Sequence, residues 1–255
     1  MRLRLCTAVL VAVASAWLVA QTSTAPSPGT ASTQRLLASA AKLLVVTTEG
    51  WDAVPGTLRR YARVDGRWQQ DGDAIPVVVG KSGLGWDRRL ATGNEREFSG
   101  PIKREGDGKS PAGVFALGKF FGYAPALAGS SRYVPLTAQS ECVDDPSSRY
   151  YSQVLERSAV GRVDWNSAEQ MRRSDELYRW GVIVDYNTAN TIPGAGSCIF
   201  LHIWRGPGQG TAGCTAMTPE HITALIRWLD DGSRSAIVQL PIAEYKRLRS
   251  RWDLP

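Results

Sequence analysis

Apolar and β-branched residues fall in short bursts along this chain, and the bursts change period. KLLVVTTEGW (42–51) is almost continuously apolar or β-branched, which predicts a buried strand. TLRRYARVDGRW (57–68) alternates and breaks at Asp65-Gly66, a hairpin signal, and AIPVVVG (74–80) follows. These three predict a meander. GVFALGKFF (113–121), WGVIVDYN (180–187), SCIFLHIW (197–204) and SAIVQLP (235–241) are further strand candidates.

Helical spacing is rarer. Thr218-Pro219 pairs an N-cap residue with a proline suited to the first helical turn, and Ile222, Leu225, Ile226 and Leu229 then share one face until Asp230-Asp231-Gly232. Ser167 with Gln170 resembles a capping box and predicts a polar helix running toward Leu177. A third helix is expected from Pro241 to Arg249. The long stretch 122–166, rich in Ser, Pro, Asp and Arg, is expected to form loops over one end of the fold. The fold class is therefore mainly β with peripheral helices.

The N-terminus sets the compartment. Arg2 and Arg4 precede an uncharged run at 7–20, too short for a membrane span of about 20 residues but suited to a signal peptide. Ala16 and Ala20 are both candidate cleavage positions, and an uncleaved anchor is the alternative. Residues 1–20 are read as signal peptide, 21–40 as a flexible leader rich in Ser, Thr and Pro, and 41–255 as one domain. Export to the periplasm or cell envelope follows, with membrane contact only through the signal segment. The net charge of +6 is scattered, which does not argue for nucleic-acid binding.

Cysteine count sharpens the picture. Cys6 leaves with the signal, so Cys142, Cys198 and Cys214 remain, an odd number in an exported protein. One disulfide and one free thiol are expected, and three pairings are open. Cys214, in TAGCTAM (211–217), can be read as nucleophile, disulfide half, metal ligand or buried small hydrophobe. A nucleophilic thiol needs a base. The sequence holds only two histidines. His202 lies in an apolar strand on the face of Phe200 and Trp204, whereas His221 sits in the first turn of a helix, where the dipole disfavours imidazolium. His202 is the better base. The linking segment RGPGQGTAG (205–213) has four glycines and can turn backbone N–H groups inward, with the amides of Cys214 and Gly213 as oxyanion-hole candidates. The spacing of Cys214, His202 and His221 is unlike common zinc motifs, and no metal or cofactor is expected.

Two ordered blocks resemble the L,D-transpeptidase catalytic domain (YkuD-type) family: EGDGKSPAGVF (105–115), and FLHIW followed by TAGC (200–214). The resemblance spans residues 41–241 and implies a curved β sandwich, a cysteine acyl-enzyme and a peptidoglycan stem-peptide substrate. By position it implies Cys214 as nucleophile, His202 as base and Gly213 as the glycine before the nucleophile. Thr211 stands where the family usually has Ser, and the block holding Asp107 borders the site. Ala216 occupies a position where many members carry Arg, and Ala212 replaces a frequent His. Arg205 is the candidate to take over that arginine's grip on substrate. With Cys214 assigned as the free thiol, Cys142 and Cys198 are left to pair. Asp144, Asp145, Arg149 and Tyr150 in the long loop, and Asp185 and Asn187, are secondary candidates near substrate. The expected activity is acyl transfer to an amine in cell-wall cross-linking. The alternatives are an L,D-carboxypeptidase or other peptidoglycan hydrolase using water, and a non-catalytic envelope-binding domain.

Overall fold

The structure, a computed structural model, describes residues 28–255 apart from 93 and 95. The signal segment and the start of the leader lie outside the described residues. Four α-helices are present among them: α1 (Pro28–Ser39), α2 (Arg88–Ala91), α3 (Pro219–Leu229) and α4 (Ile242–Leu248). The strands are β1 (Lys42–Thr48), β2 (Pro55–Val64), β3 (Arg67–Gln70), β4 (Ile75–Val78), β5 (Leu84–Trp86), β6 (Ser110–Gly122) and β7 (Tyr133–Pro135). They continue with β8 (Ser140–Val143), β9 (Val154–Glu156), β10 (Ala168–Gln170), β11 (Trp180–Val184), β12 (Phe200–Ile203), β13 (Thr215–Met217) and β14 (Ser235–Pro241).

The main sheet runs β1-β14-β6-β11-β12-β13-β4-β2-β3, with β5 and β7 paired to β6. β1 also pairs with β2, so the sheet curls round and meets itself. Closure of this kind removes open edges, which otherwise invite pairing with other chains. The mainly β architecture with peripheral helices thus takes the form of a strongly curved sheet. At the β2–β3 hairpin, Asp65 (φ 48°) and Gly66 (φ 75°) both adopt positive φ. That is the geometry a two-residue hairpin turn needs.

α3 follows the sequence pattern closely. Thr218 accepts the His221 N–H at its N-terminus, Pro219 opens it, and Ile222, Leu225, Ile226 and Leu229 are all buried. Burying side chains of this size stabilises by about 2 kcal/mol each. Alternation in β12 divides the interior. Leu201 and Ile203, with neighbouring Ile199, face the main core, which also holds Leu44, Phe120 and Val238. Phe200 faces a second cluster with Phe121, Met171, Tyr178, Cys142, Cys198 and Cys214. β6 splits the same way at Phe120 and Phe121.

Three expectations change. The polar helix predicted from Ser167 is not formed; Ala168–Gln170 is a strand paired with β8. Met171 is fully buried and the Gln170 side chain donates to Ala138 and Ser140 carbonyls, so tertiary pairing overrides a weak local helix signal. The stretch 122–166 is not all loop, since it supplies β7, β8 and β9, and β10-β8-β9 form a separate small sheet. The later half of the expected leader is helix α1, anchored by buried Thr33, Leu37 and Ala40. Its Leu-Leu pair at 36–37 is the one apolar step in that segment, and it packs on the core.

Candidate active site

β12 and β13 run parallel, with Leu201 opposite Thr215 and His202 opposite Ala216. Extending that register one step places Cys214 beside Phe200, and the Phe200 N–H donates to Cys214 Sγ at 3.3 Å. His202 is one same-face step further along β12. Both side chains line a cavity of about 570 Å³.

The glycine-rich segment between them is held by backbone. Thr211 accepts from Lys81 N–H at 2.8 Å and donates its own N–H to Val79 at 3.0 Å. A Cβ on Gly210 would sit 2.5 Å from Lys81 Cα, so only glycine allows this approach. The Thr211 hydroxyl donates to the Cys214 carbonyl at 2.6 Å and accepts the Gly213 N–H at 3.1 Å. Ser110 also donates to the Cys214 carbonyl, at 2.9 Å, while accepting the Gly80 N–H. The backbone on either side of the thiol is therefore clamped from two elements. Thr211 works inside this clamp, and the Gly213 amide is engaged by Thr211 Oγ1.

Cys214 is the free cysteine, 5 % exposed. Cys142 and Cys198 are bonded to each other across 56 positions of sequence. The bridge ties β8 to the segment entering β12. Cys198 has φ 55°, a left-handed conformation uncommon for a residue with a side chain, and its carbonyl accepts the Cys214 thiol at 3.4 Å. Burial pushes that thiol up to about 12, and the negative charge of Glu169 pushes the same way. The Phe200 N–H and the Lys103 charge pull against them.

His202 Nδ1 lies 2.7 Å from the Ile203 carbonyl. A carbonyl only accepts, so Nδ1 carries the proton and Nε2 keeps its lone pair. The Tyr178 ring meets the imidazole edge-on at 5.0 Å. Burial brings His202 down to about 4, opposed by its bond to Ile203. The resting pair is neutral thiol and neutral imidazole. His221 is not among the cavity-lining residues. Among the described residues no group of three or more His, Cys, Asp or Glu is placed to hold a metal ion.

The remaining predicted residues separate. Arg205 lines the cavity, with 63 % of its side chain exposed and Asp175 at 3.6 Å. Asp107 is not among the lining residues. It holds Lys103 Nζ at 2.6 Å and accepts the backbone N–H groups of Arg104 and Lys109, so the motif aspartate positions a lysine that does line the cavity. Asp144 lines the cavity too. Asp145 instead staples its own loop through Ser147 and Asn166, Arg149 pairs with Asp164, and Tyr150 packs on Trp165. Asn187 is buried and holds the 187–196 loop through Ile192 and Gly196, while Asp185 follows β11 and donates its N–H to the Ala116 carbonyl of β6. Sequence reasoning missed Lys103, Ser110, Glu169 and Tyr178. Glu169 accepts the Tyr178 hydroxyl at 2.6 Å, and Arg173 stands 3.5 Å from it. The helical pattern of the segment carrying Glu169 hides its place in the wall, since that segment is a strand.

A family model of the L,D-transpeptidase catalytic domain (YkuD) matches residues 61–239. No curated protein matches the chain. Among solved structures, the helical cell shape determining protein Pgp2 from Campylobacter jejuni aligns at 14 % identity and TM-score 0.40, covering 83 % of this chain and 55 % of that one. A K307A mutant of the same protein aligns at 14 % identity and TM-score 0.39, covering 85 % of this chain and 57 % of that one. This chain thus spans little more than half the length of that protein.

Proposed function

Because this chain belongs to the L,D-transpeptidase catalytic domain family, we propose that it is a cysteine acyltransferase that cross-links or remodels peptidoglycan, with Cys214 as nucleophile and His202 as base. The observation that carries this reading is the pairing, in one cavity, of a free thiol with an imidazole whose Nδ1–H is anchored and whose Nε2 is unprotonated.

The chemistry runs through these residues in order. Substrate enters the cavity and displaces water from it. The Cys214 thiol attacks a stem-peptide carbonyl while His202 Nε2 takes its proton. A neutral pair suits this, because the proton moves only as the bond forms. The developing oxyanion is met by backbone N–H groups of the clamped segment, foremost that of Cys214, since the Gly213 amide is engaged by Thr211. His202 then hands its proton to the leaving amine. A second stem peptide's amine attacks the thioester while His202 Nε2 takes its proton; the C–S bond breaks, the new amide forms, and His202 returns the proton to the departing Cys214 thiolate. The Ile203 carbonyl is the group that orients the base. Arg205, at the exposed rim of the cavity, guides anionic substrate inward. Residues 1–20 act as export signal, placing the domain in the periplasm or cell envelope.

Purified stem peptides incubated with wild type and Cys214→Ala, with products read by mass spectrometry, test this. Cross-linked dimers from wild type alone support transfer. Shortened monomers without dimers would make the enzyme an L,D-carboxypeptidase. No product from either, together with no carbapenem adduct on a reduced Cys214, would leave an envelope-binding domain. Arg205→Ala is expected to raise donor KM; unchanged kinetics would remove Arg205 from substrate binding.

A further inference from the structure

A ring of hydrogen bonds closes behind the nucleophile. Ser110, Thr215 and Gln239 are all buried, none more than 1 % exposed. Alternation in β13 points Thr215 away from Cys214 and Ala216, toward the core that holds Leu201 and Met217. Its hydroxyl donates to Gln239 Oε1. Gln239 Nε2 donates to the Pro111 carbonyl at 3.1 Å. A carbonyl only accepts, so the amide has one orientation here, nitrogen to Pro111 and oxygen to Thr215. Pro111 follows Ser110, whose hydroxyl donates to the Cys214 carbonyl at 2.9 Å. The path thus leads from Cys214 through Thr215, Gln239, Pro111 and Ser110 back to Cys214.

This ring ties strands that are not neighbours. β6, β11 and β12 stand between β14 and β13 in the main sheet, so Gln239 and Thr215 meet across the interior of the curled sheet. Gln239 is a firm anchor, because its strand is paired with β1 at Val46 on one side and with β6 at Gly113 on the other. A buried amide and hydroxyl must be desolvated, and an apolar pair of the same shape packs about as stably. The geometry at Cys214 gives the polar pair a use. Thr211 and Ser110 both donate to the Cys214 carbonyl, and Thr211 also engages the Gly213 N–H. The peptide between residues 213 and 214, which carries the Cys214 N–H, is therefore set by what fixes the chain on either side of it. We propose that Thr215 and Gln239 are positioning residues: by fixing the chain just after Cys214, they hold the Cys214 N–H at the angle an oxyanion donor needs. Such a donor loses much of its effect when it is tilted, since hydrogen bonds weaken steeply with angle. The inference rests on the acyl-transfer reading and adds to it the buried pair that aims the oxyanion donor.

Two reactions of the same thiol separate positioning from general folding. A carbapenem acylates Cys214: sulfur adds to the ring carbonyl, the ring C–N bond breaks, and the thiol proton ends on the ring nitrogen, with an oxyanion on the way. Iodoacetamide alkylates it: sulfur displaces iodide at a methylene carbon and the thiol proton goes to solvent, with no oxyanion. The ratio of the two rates, each read by intact mass, cancels changes in thiol exposure and acidity. Thr215→Val keeps the side chain's shape without its hydroxyl and is expected to lower the ratio at least about tenfold. Thr215→Ser keeps the hydroxyl and is expected to stay close to wild type. Thr215→Val leaves Gln239 Oε1 unpaired, so Thr215→Val/Gln239→Leu, apolar at both places, is measured beside it and should show the same loss. An unchanged ratio in the double variant, with wild type acylated, would overturn the positioning role and leave the acyltransferase reading standing. A loss in Thr215→Ser equal to that in Thr215→Val would overturn it too. Alkylation of wild type without acylation would remove the acyltransferase reading, and the positioning role with it.

Discussion

Acid should unfold this protein partly through one histidine. His202 is buried and brought down from 6.5 to about 4, with desolvation the largest cause. In the unfolded chain the same ring titrates normally. Between those two values the unfolded state therefore binds a proton that the folded state refuses, and stability falls as pH falls through that window. The gap of roughly 2.5 units, at about 1.4 kcal/mol per unit, amounts to about 3 kcal/mol once pH reaches about 4. That is a sizeable part of a typical stability of about 5–15 kcal/mol. Carboxylates held low, such as Asp145, Asp175 and Asp231, act in a more acidic window. Those raised by burial, Asp87, Glu169 and Asp185, act in the opposite direction. The readout must therefore be a difference. His202→Asn removes the titration while its Nδ2 amide stands where Nδ1–H stood, able to donate to the Ile203 carbonyl. Urea unfolding of both proteins, with the disulfide intact, at about pH 7.5 and about pH 4.5 gives four stabilities. Wild type is expected to lose about 2–3 kcal/mol more than the variant across that interval. Parallel losses would show that His202 is not buried neutral, and would remove the physical basis for its being an unprotonated base at neutral pH.

Other outcomes follow from the clamp and the bridge. Cys214, pushed up to about 12, should react with iodoacetamide ever faster as pH rises past 9; a plateau below pH 8 would mean that the free enzyme holds a preformed thiolate. Gly210→Ala places a methyl group against the Lys81 backbone and should cut turnover at least about tenfold by shifting the 205–214 segment, with the far-ultraviolet spectrum unchanged; full activity would show that the segment yields freely. Replacing Cys142 and Cys198 together by Ser opens a loop with ends 56 positions apart and should cost about 4 kcal/mol in urea unfolding at most. A cost below about 1 kcal/mol would show that the unfolded chain gains little freedom from losing the bridge.

Local signals were readable wherever local physics decides. The α3 cap, its four buried aliphatics and the Asp65-Gly66 turn all depend on residues within a few positions of each other, so pattern alone determined them. The alternation that placed His202 with Phe200 and opposite Leu201 is also a property of one extended strand. Segment 167–170 was misread because its outcome depends on β8, some 25 positions earlier, which offers backbone partners that a short polar helix lacks. The leader was misread in part because one Leu-Leu step found a core to dock on. Cys214 and His202 could be named from the chain, together with the class of chemistry that a thiol and an imidazole perform. Their protonation states could not, since both are set by burial, and burial exists only once β12, β13, β6 and the 205–214 segment enclose them. Nor could the roles of Lys103, Glu169 and Tyr178 be read from spacing. These side chains come from separate segments, and only closure of the curved sheet against the small three-stranded one brings them to the same cavity.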